Sequence, residues 1–265
     1  MSIVRVREIE MGYTEAGRGT PVVLLHGFPF NRSMWSEQLE ALKGSHRVIA
    51  PDLRGHGETT VTDDAATMEE MARDVAALLD ELKIEHAAIG GLSMGGYVAL
   101  AFCRLFPHRV RALILADTRA GADTEDLRRG REESAQRALS EGMEAIADQM
   151  LPKLLAPATL IDKPLIVERV RRMMTDTNPA GAAAALRGMA VRRDQKSFLP
   201  EISSPTLIVV GDEDAPTPPS EAEVLQRGIH GSRLVTINGA GHVSNIEQPA
   251  EFNSALTDFL GSLEP

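Results

Sequence analysis

Cysteine is nearly absent: the 265 residues contain one, Cys103, which has no intramolecular disulfide partner and leaves no thiol cluster for structural zinc or an iron–sulfur centre. Such a chain suits a reducing compartment, and a cytoplasmic location is expected. Positive charge is scarce as well. Lys and Arg number 28 against 38 Asp and Glu, and the formal net charge of −10 repels nucleic-acid phosphates and anionic membrane surfaces. No nucleic-acid or membrane partner is expected. No uninterrupted apolar run reaches membrane-spanning length, and residues 1–7 alternate charged with apolar side chains instead of forming the apolar stretch of a secretory leader. An H-x-H-x-D-H string that would gather two metal ions is missing. Leu92 stands where a G-x-G-x-x-G reading from Gly90 needs its second glycine, so neither a metal nor a nicotinamide cofactor is expected.

What is present is enough apolar material for one sizeable core, with 43% hydrophobic and 25% charged residues. Short apolar, β-branched runs at 3–8, 11–16, 22–25, 47–50, 87–89, 112–115, 207–210 and 234–237 read as strands. Between most of them lie stretches of helical periodicity at 33–42, 68–82, 94–106, 221–228 and 249–260. That alternation predicts an α/β fold with a mainly parallel sheet of eight strands covered by helices on both faces. Thr67, followed three residues later by Glu70, has the spacing of a capping box. The interval 118–196 offers helical stretches near 124–140, 142–155, 164–176 and 179–191 but no strand. It is expected to be a helical cap inserted into a core domain made of residues 1–117 and 197–265.

The sharpest motif is Gly91-Leu92-Ser93-Met94-Gly95, a G-x-S-x-G string directly after a strand and before a helix. A tight strand-to-helix turn would expose the Ser93 hydroxyl at the carboxyl edge of the sheet. It would also put the Met94 amide at a helix N-terminus, where partial positive charge favours an oxyanion. A serine needs a base, and the base needs an orienting acid. His242, in Gly239-Ala240-Gly241-His242 after the last strand, is the expected base. Asp214, furthest into the turn Gly211-Asp212-Glu213-Asp214, is the expected acid, with Asp117 at the end of the 112–115 strand as its rival. His46, His86, His108 and His230 sit at element edges and are read as solvated.

With these motifs in hand, the chain resembles the α/β-hydrolase superfamily over essentially its whole length outside the cap. Around Ser93 and from His26 to Trp35 it is similar to small esterases, cofactor-free perhydrolases and 3-oxoadipate enol-lactonase-like lactonases. The resemblance implies that His26-Gly27-Phe28-Pro29 is the oxyanion loop, the Phe28 amide joining that of Met94, with His26 structural. It implies that Asp52-Leu53-Arg54-Gly55-His56-Gly57 holds the site's floor through buried hydrogen bonds and takes no part in chemistry. Haloalkane dehalogenases of this fold resemble a pattern with aspartate at the nucleophile; here the position is Ser93, which disfavours an alkyl-enzyme route.

The implied activity is hydrolysis of small to medium carboxylic esters or lactones through an acyl-enzyme, without cofactor, by a monomer or homodimer. Activity is expected to rise through about pH 6 to 7.5 as the histidine loses its proton. The substrate pocket is expected between the sheet edge and the cap, lined by Phe28, Phe30, Trp35 and Met94 with Met150, Leu154, Met173 and Met174 from the cap, and so suited to an apolar acyl group; packing of the cap on the body is the other reading of its methionines. Arg192 and Arg193 are read as solvated at a helix end, with binding of a substrate carboxylate as their other reading. Perhydrolysis, C–C hydrolysis, hydroxynitrile cleavage and a non-catalytic ligand receptor remain open, because the same three side chains serve all of them.

Overall fold

Along the central strands successive side chains enter opposite faces of one sheet, as a period of two requires. Val23, Leu25, Ile89, Leu115, Ile208 and Val210 join one buried cluster. Their neighbours Val22, Leu24, Ala88, Ile114, Leu207 and Val209 join the other. A computed structural model describes residues 2–62 and 65–263. In chain order the elements are β1 (Ser2–Val6), β2 (Ile9–Ala16), β3 (Thr20–Leu25), α1 (Ser36–Leu42), β4 (His46–Pro51), α2 (Met68–Glu81), β5 (Ala87–Leu92), α3 (Met94–Leu105) and β6 (Val110–Ala116). Five helices follow: α4 (Glu125–Glu141), α5 (Met143–Leu154), α6 (Pro157–Asp162), α7 (Pro164–Thr175) and α8 (Pro179–Ala190). The chain then completes the sheet through β7 (Thr206–Gly211), α9 (Pro219–Gly228), β8 (Arg233–Ile237), α10 (Ser244–Glu247) and α11 (Pro249–Gly261).

The eight strands form one sheet in the order β1-β2-β4-β3-β5-β6-β7-β8. β2 runs antiparallel to β1 and β4, and the remaining pairings are parallel. The α/β fold and its mostly parallel eight-stranded sheet therefore match the sequence reading. Parallel strands put the loops after β3, β4, β5, β6, β7 and β8 on one edge, and that edge is where ligands bind in open α/β sheets. Residues from α2, α3 and α9 fill the first cluster; α1 and α11 fill the second. Thr67 caps α2 by accepting from the Glu70 amide at 3.2 Å, but the Glu70 carboxylate pairs with Arg7 and Arg73 instead of closing the capping box.

Between β6 and β7 the structure has five helices where periodicity suggested four. The extra one, α6, is six residues long, too short to show a 3.6-residue pattern, and begins at Pro157, whose fixed φ suits a first helical turn. These helices share the core of the rest of the chain: Ala182, Ala185 and Ile146 lie in the first cluster, and Leu151, Val170 and Met174 in the second. Among the described residues no helix is long and apolar enough to cross a membrane.

Candidate active site

β5 ends at Leu92 and the chain turns through Ser93 into α3 with φ 53° and ψ −113°. A non-glycine residue in such a conformation costs about 1–3 kcal/mol and persists only where its surroundings hold it. The flanking glycines are a matter of space: a Cβ on Gly91 would lie 2.1 Å from the Gly95 carbonyl oxygen, and one on Gly95 2.1 Å from that of Leu25. The Ser93 amide donates to the Ala116 carbonyl at 2.9 Å, and the Thr118 hydroxyl donates to the Ser93 carbonyl at 2.8 Å. Anchored on β6 in this way, the serine presents its hydroxyl at the carboxyl edge of the sheet.

His242 follows β8, and its amide donates to the Leu154 carbonyl at 2.8 Å, tying the loop to the end of α5. Its Nε2 lies 2.8 Å from Ser93 Oγ, and its Nδ1 lies 2.9 Å from each carboxylate oxygen of Asp214. This places the proton of the neutral ring on Nδ1, donated to Asp214, and leaves Nε2 to accept from the serine. Asp214 also accepts from the Thr217 amide at 2.9 Å and the Thr217 hydroxyl at 2.7 Å, a turn in which the aspartate orients itself on backbone three residues ahead. Burial disfavours the imidazolium, but the charge and hydrogen bond of Asp214, with Asp117 and Glu247 behind it, outweigh burial and raise the His242 pKa above its ordinary 6.5.

Asp117 does not take Asp214's place. It is fully buried, and its oxygens accept from the Gly211 amide at 2.9 Å and from the amide and hydroxyl of Ser244. Burial, followed by the nearby charge of Asp214, pushes its carboxyl well above the usual range. Glu247, missed in the sequence, accepts from the amides of Gly241 and Ala156, each at 2.8 Å, and so joins the histidine loop to the segment before α6. Nothing in the local sequence marks it, because the groups it meets are brought close only by the fold. Thr217 was visible in principle, three residues after an aspartate in a turn.

The loop after β3 lies against the serine, for a Cβ built on Gly27 would sit 3.4 Å from that of Ser93. Among the described residues neither the Phe28 amide nor the Met94 amide, first in α3, has a backbone acceptor. His26 is wholly buried: it bonds the Gly27 carbonyl through Nδ1 and accepts from the Leu53 amide through Nε2, each at 2.9 Å. Burial lowers its pKa to about 4, and burial with the neighbouring His26 lowers that of His56 to about 3. Asp52 collects the Arg32 amide and guanidinium and the Glu58 amide, while Arg54 pairs with Asp74 through two hydrogen bonds. These groups bind the loop after β4 to the turn after β3 and to α2.

A cavity of about 430 Å³ opens above Ser93 and His242, walled by Phe28, Met150 and Leu154 but also by Arg119 and Arg131. Phe30 and Trp35, expected on this wall, are 0% and 1% exposed and belong to the core. The Asn31-capped turn at Arg32–Trp35 sends the Trp35 ring down to Phe252, with centroids 6.1 Å apart. Proximity in sequence to the oxyanion loop does not set side-chain direction. Met173 and Met174 likewise pack inside the second cluster, and the Met94 side chain is buried in the first. Arg193 is exposed, but Arg192 is 5% exposed: it pairs with Asp123 at 2.8 Å and lies 4.3 Å from the centre of the Tyr97 ring. Among the described residues no group of three His, Cys, Asp or Glu side chains is arranged to hold a metal.

Residues 20–249 match the family described as the alpha/beta hydrolase fold. The chain belongs to the α/β-hydrolase family. This α/β hydrolase is similar in structure to a thermophilic esterase from Thermogutta terrifontis, solved with malate bound, with a TM-score of 0.98 and 42% identity over 100% of both chains. Against the enol-lactonase from Burkholderia xenovorans the TM-score is 0.92 at 30% identity, covering 98% of this chain and 100% of the other. The 3-oxoadipate enol-lactonase 2 of Acinetobacter baylyi is 29% identical over 94% of this chain and 92% of its own length.

Proposed function

We propose that this α/β hydrolase is a serine carboxylic-ester hydrolase acting on small to medium esters or lactones. One observation carries the reading: Ser93 Oγ, both ring nitrogens of His242 and the Asp214 carboxylate form one hydrogen-bonded chain with links of 2.8 and 2.9 Å. Relatives named esterase and enol-lactonase support the same reaction class.

Ser93 Oγ attacks the acyl carbon as His242 Nε2 takes its proton, and Asp214 holds the ring's tautomer and stabilises the imidazolium. The carbonyl oxygen becomes an oxyanion received by the Phe28 and Met94 amides, each such donor worth roughly 3 kcal/mol of barrier in comparable sites. His242 returns the proton to the departing alkoxide, which leaves as the alcohol, or stays tethered in a lactone. The same nitrogen then deprotonates a water that hydrolyses the acyl-enzyme, releasing the acid and restoring Ser93. Residues 118–196 act as a cap, shaping the substrate side of the cavity from α4, α5 and α8. The setting proposed is the cytoplasm, with a monomer or homodimer.

Turnover of p-nitrophenyl acetate, butyrate and octanoate, compared between the native protein and Ser93→Ala, tests the reading. In the variant kcat is expected to fall by at least ~10⁴-fold. Undiminished turnover in Ser93→Ala sinks the assignment.

A further inference from the structure

The whole protein carries a formal charge of −10, yet the cavity above Ser93 is lined by Arg119, Arg131 and Lys153 against a single carboxylate, Asp126. Behind that wall the Asp123 side chain, with no exposure of its own, takes ion pairs from Arg119 at 2.7 Å, from Arg192 at 2.8 Å and from Arg131. One guanidinium neutralises one carboxylate, so balancing Asp123 accounts for only one of the three arginines. Four cations face two carboxylates here, and two positive charges are in excess.

The donors are not used up either. Arg119 Nε and Arg192 Nε are buried without an acceptor among the described residues, and beyond Asp123 the Arg131 guanidinium finds only the Met189 thioether, a weak acceptor. Arg192 lies over Tyr97, itself on the cavity wall and one helical turn beyond Ser93, so its charge is held close to the cavity without entering it. Guanidinium groups on the wall of a cleft match a carboxylate in charge and in shape.

We propose that this site selects esters or lactones bearing a second, ionised carboxylate, which Arg119 and Arg131 hold while the ester carbonyl lies at Ser93. The inference rests on the hydrolase reading and adds its substrate class. Arg119 comes from the loop after β6 and Arg131 from α4, so a bound carboxylate bridges the sheet edge and the cap. Specificity therefore comes from charge as well as from the apolar surface of Phe28, Met150 and Leu154.

The test compares each anionic ester with its neutral methyl ester: monomethyl against dimethyl glutarate puts the carboxylate on the acyl side, and O-acetylglycolate against its methyl ester puts it on the leaving side. In at least one pair the anion is expected to show a kcat/KM at least tenfold higher, and the pair that does so assigns the side. The preference is expected to shrink as salt rises from about 0.05 to 0.5 M. Arg119→Gln is expected to lower kcat/KM for the preferred anion at least tenfold more than for its neutral partner, chiefly through KM. Arg119→Lys, which keeps a charge for Asp123, is expected to fall between the two. Neutral esters hydrolysed as well as the anions in both pairs, or an equal loss for anion and neutral ester in Arg119→Gln, overturn the inference. Turnover of the neutral esters that vanishes in Ser93→Ala keeps the hydrolase reading standing whichever way the pairs divide.

Discussion

His26 and His242 stand at the carboxyl ends of two parallel strands, both are buried, and in both each ring nitrogen is hydrogen-bonded, yet they titrate in opposite directions. Among the described residues His26 hydrogen-bonds backbone groups and faces no carboxylate partner, and burial takes its pKa down to about 4. His242 faces Asp214, with Asp117 and Glu247 beyond, and its pKa moves up. Burial by itself keeps an imidazole neutral well below its ordinary pKa; a facing carboxylate lets it take a proton and give it back near neutral pH. The two imidazoles therefore differ in the carboxylates that face one of them and not the other.

Removing that carboxylate breaks the contrast most severely. Asp214→Asn is expected to lower kcat about 10⁴-fold, as the ring loses its tautomer and its counter-charge. It is also expected to move the acid limb of the residual activity to lower pH, since His242 then loses the partner that raises it. In the native protein that limb should lie above the ordinary imidazole value of 6.5, because the neutral ring is the active form and its pKa is raised. Rates measured from about pH 5 to 9 check both statements, and a native limb below that of the variant contradicts them.

Stability against pH sharpens the same contrast. Below 6.5 the unfolded chain protonates His26 while the native state does not until about 4, so the stabilisation present above 6.5 is lost as pH falls through that window. The loss amounts to about 3 kcal/mol, and His56, pushed to about 3, acts with the same sign. His242 acts oppositely: with its folded pKa raised, its stabilisation is complete below the unfolded value and disappears as pH rises through the folded one. Denaturant titrations are expected to lose roughly one proton's worth of slope between pH 6.5 and 4 in His56→Gln, whereas His242→Gln is expected to leave that window unchanged and to remove the loss of stability with rising pH that the native protein shows above 6.5. Equal slopes in both variants would count against the contrast.

The smallest change expected is that of Asp117→Asn, which leaves Asp214 in place. Asp117 raises the His242 pKa from further away than Asp214, so the acid limb should move slightly down and kcat/KM should change by less than about tenfold. A loss as large as that of Asp214→Asn would instead make Asp117 the orienting acid.

Much of this was legible in the residues. Alternating strands and helices announced the α/β fold, and the G-x-S-x-G turn is forced by the close approach of Gly91 to Gly95 and of Gly95 to Leu25. Asp214 and His242 were legible as candidates because each follows a strand that ends on the same sheet edge. The side chains that line the cavity were not. Trp35 turns inward from the capped turn at Arg32–Trp35, Phe30 is buried just ahead of it, and Met173 and Met174 pack inside the core cluster.

Local pattern by itself determined which elements form and which edge of the sheet carries the reactive groups, since strand period, turn chemistry and chain direction are properties of neighbouring residues. Tertiary structure alone decided which aspartate meets His242, that Glu247 ties the histidine loop to the segment before α6, and that Asp123 gathers arginines from positions 119, 131 and 192. Those are contacts between segments far apart in sequence, and a charge's effect on its neighbour depends on a distance that only the folded chain sets.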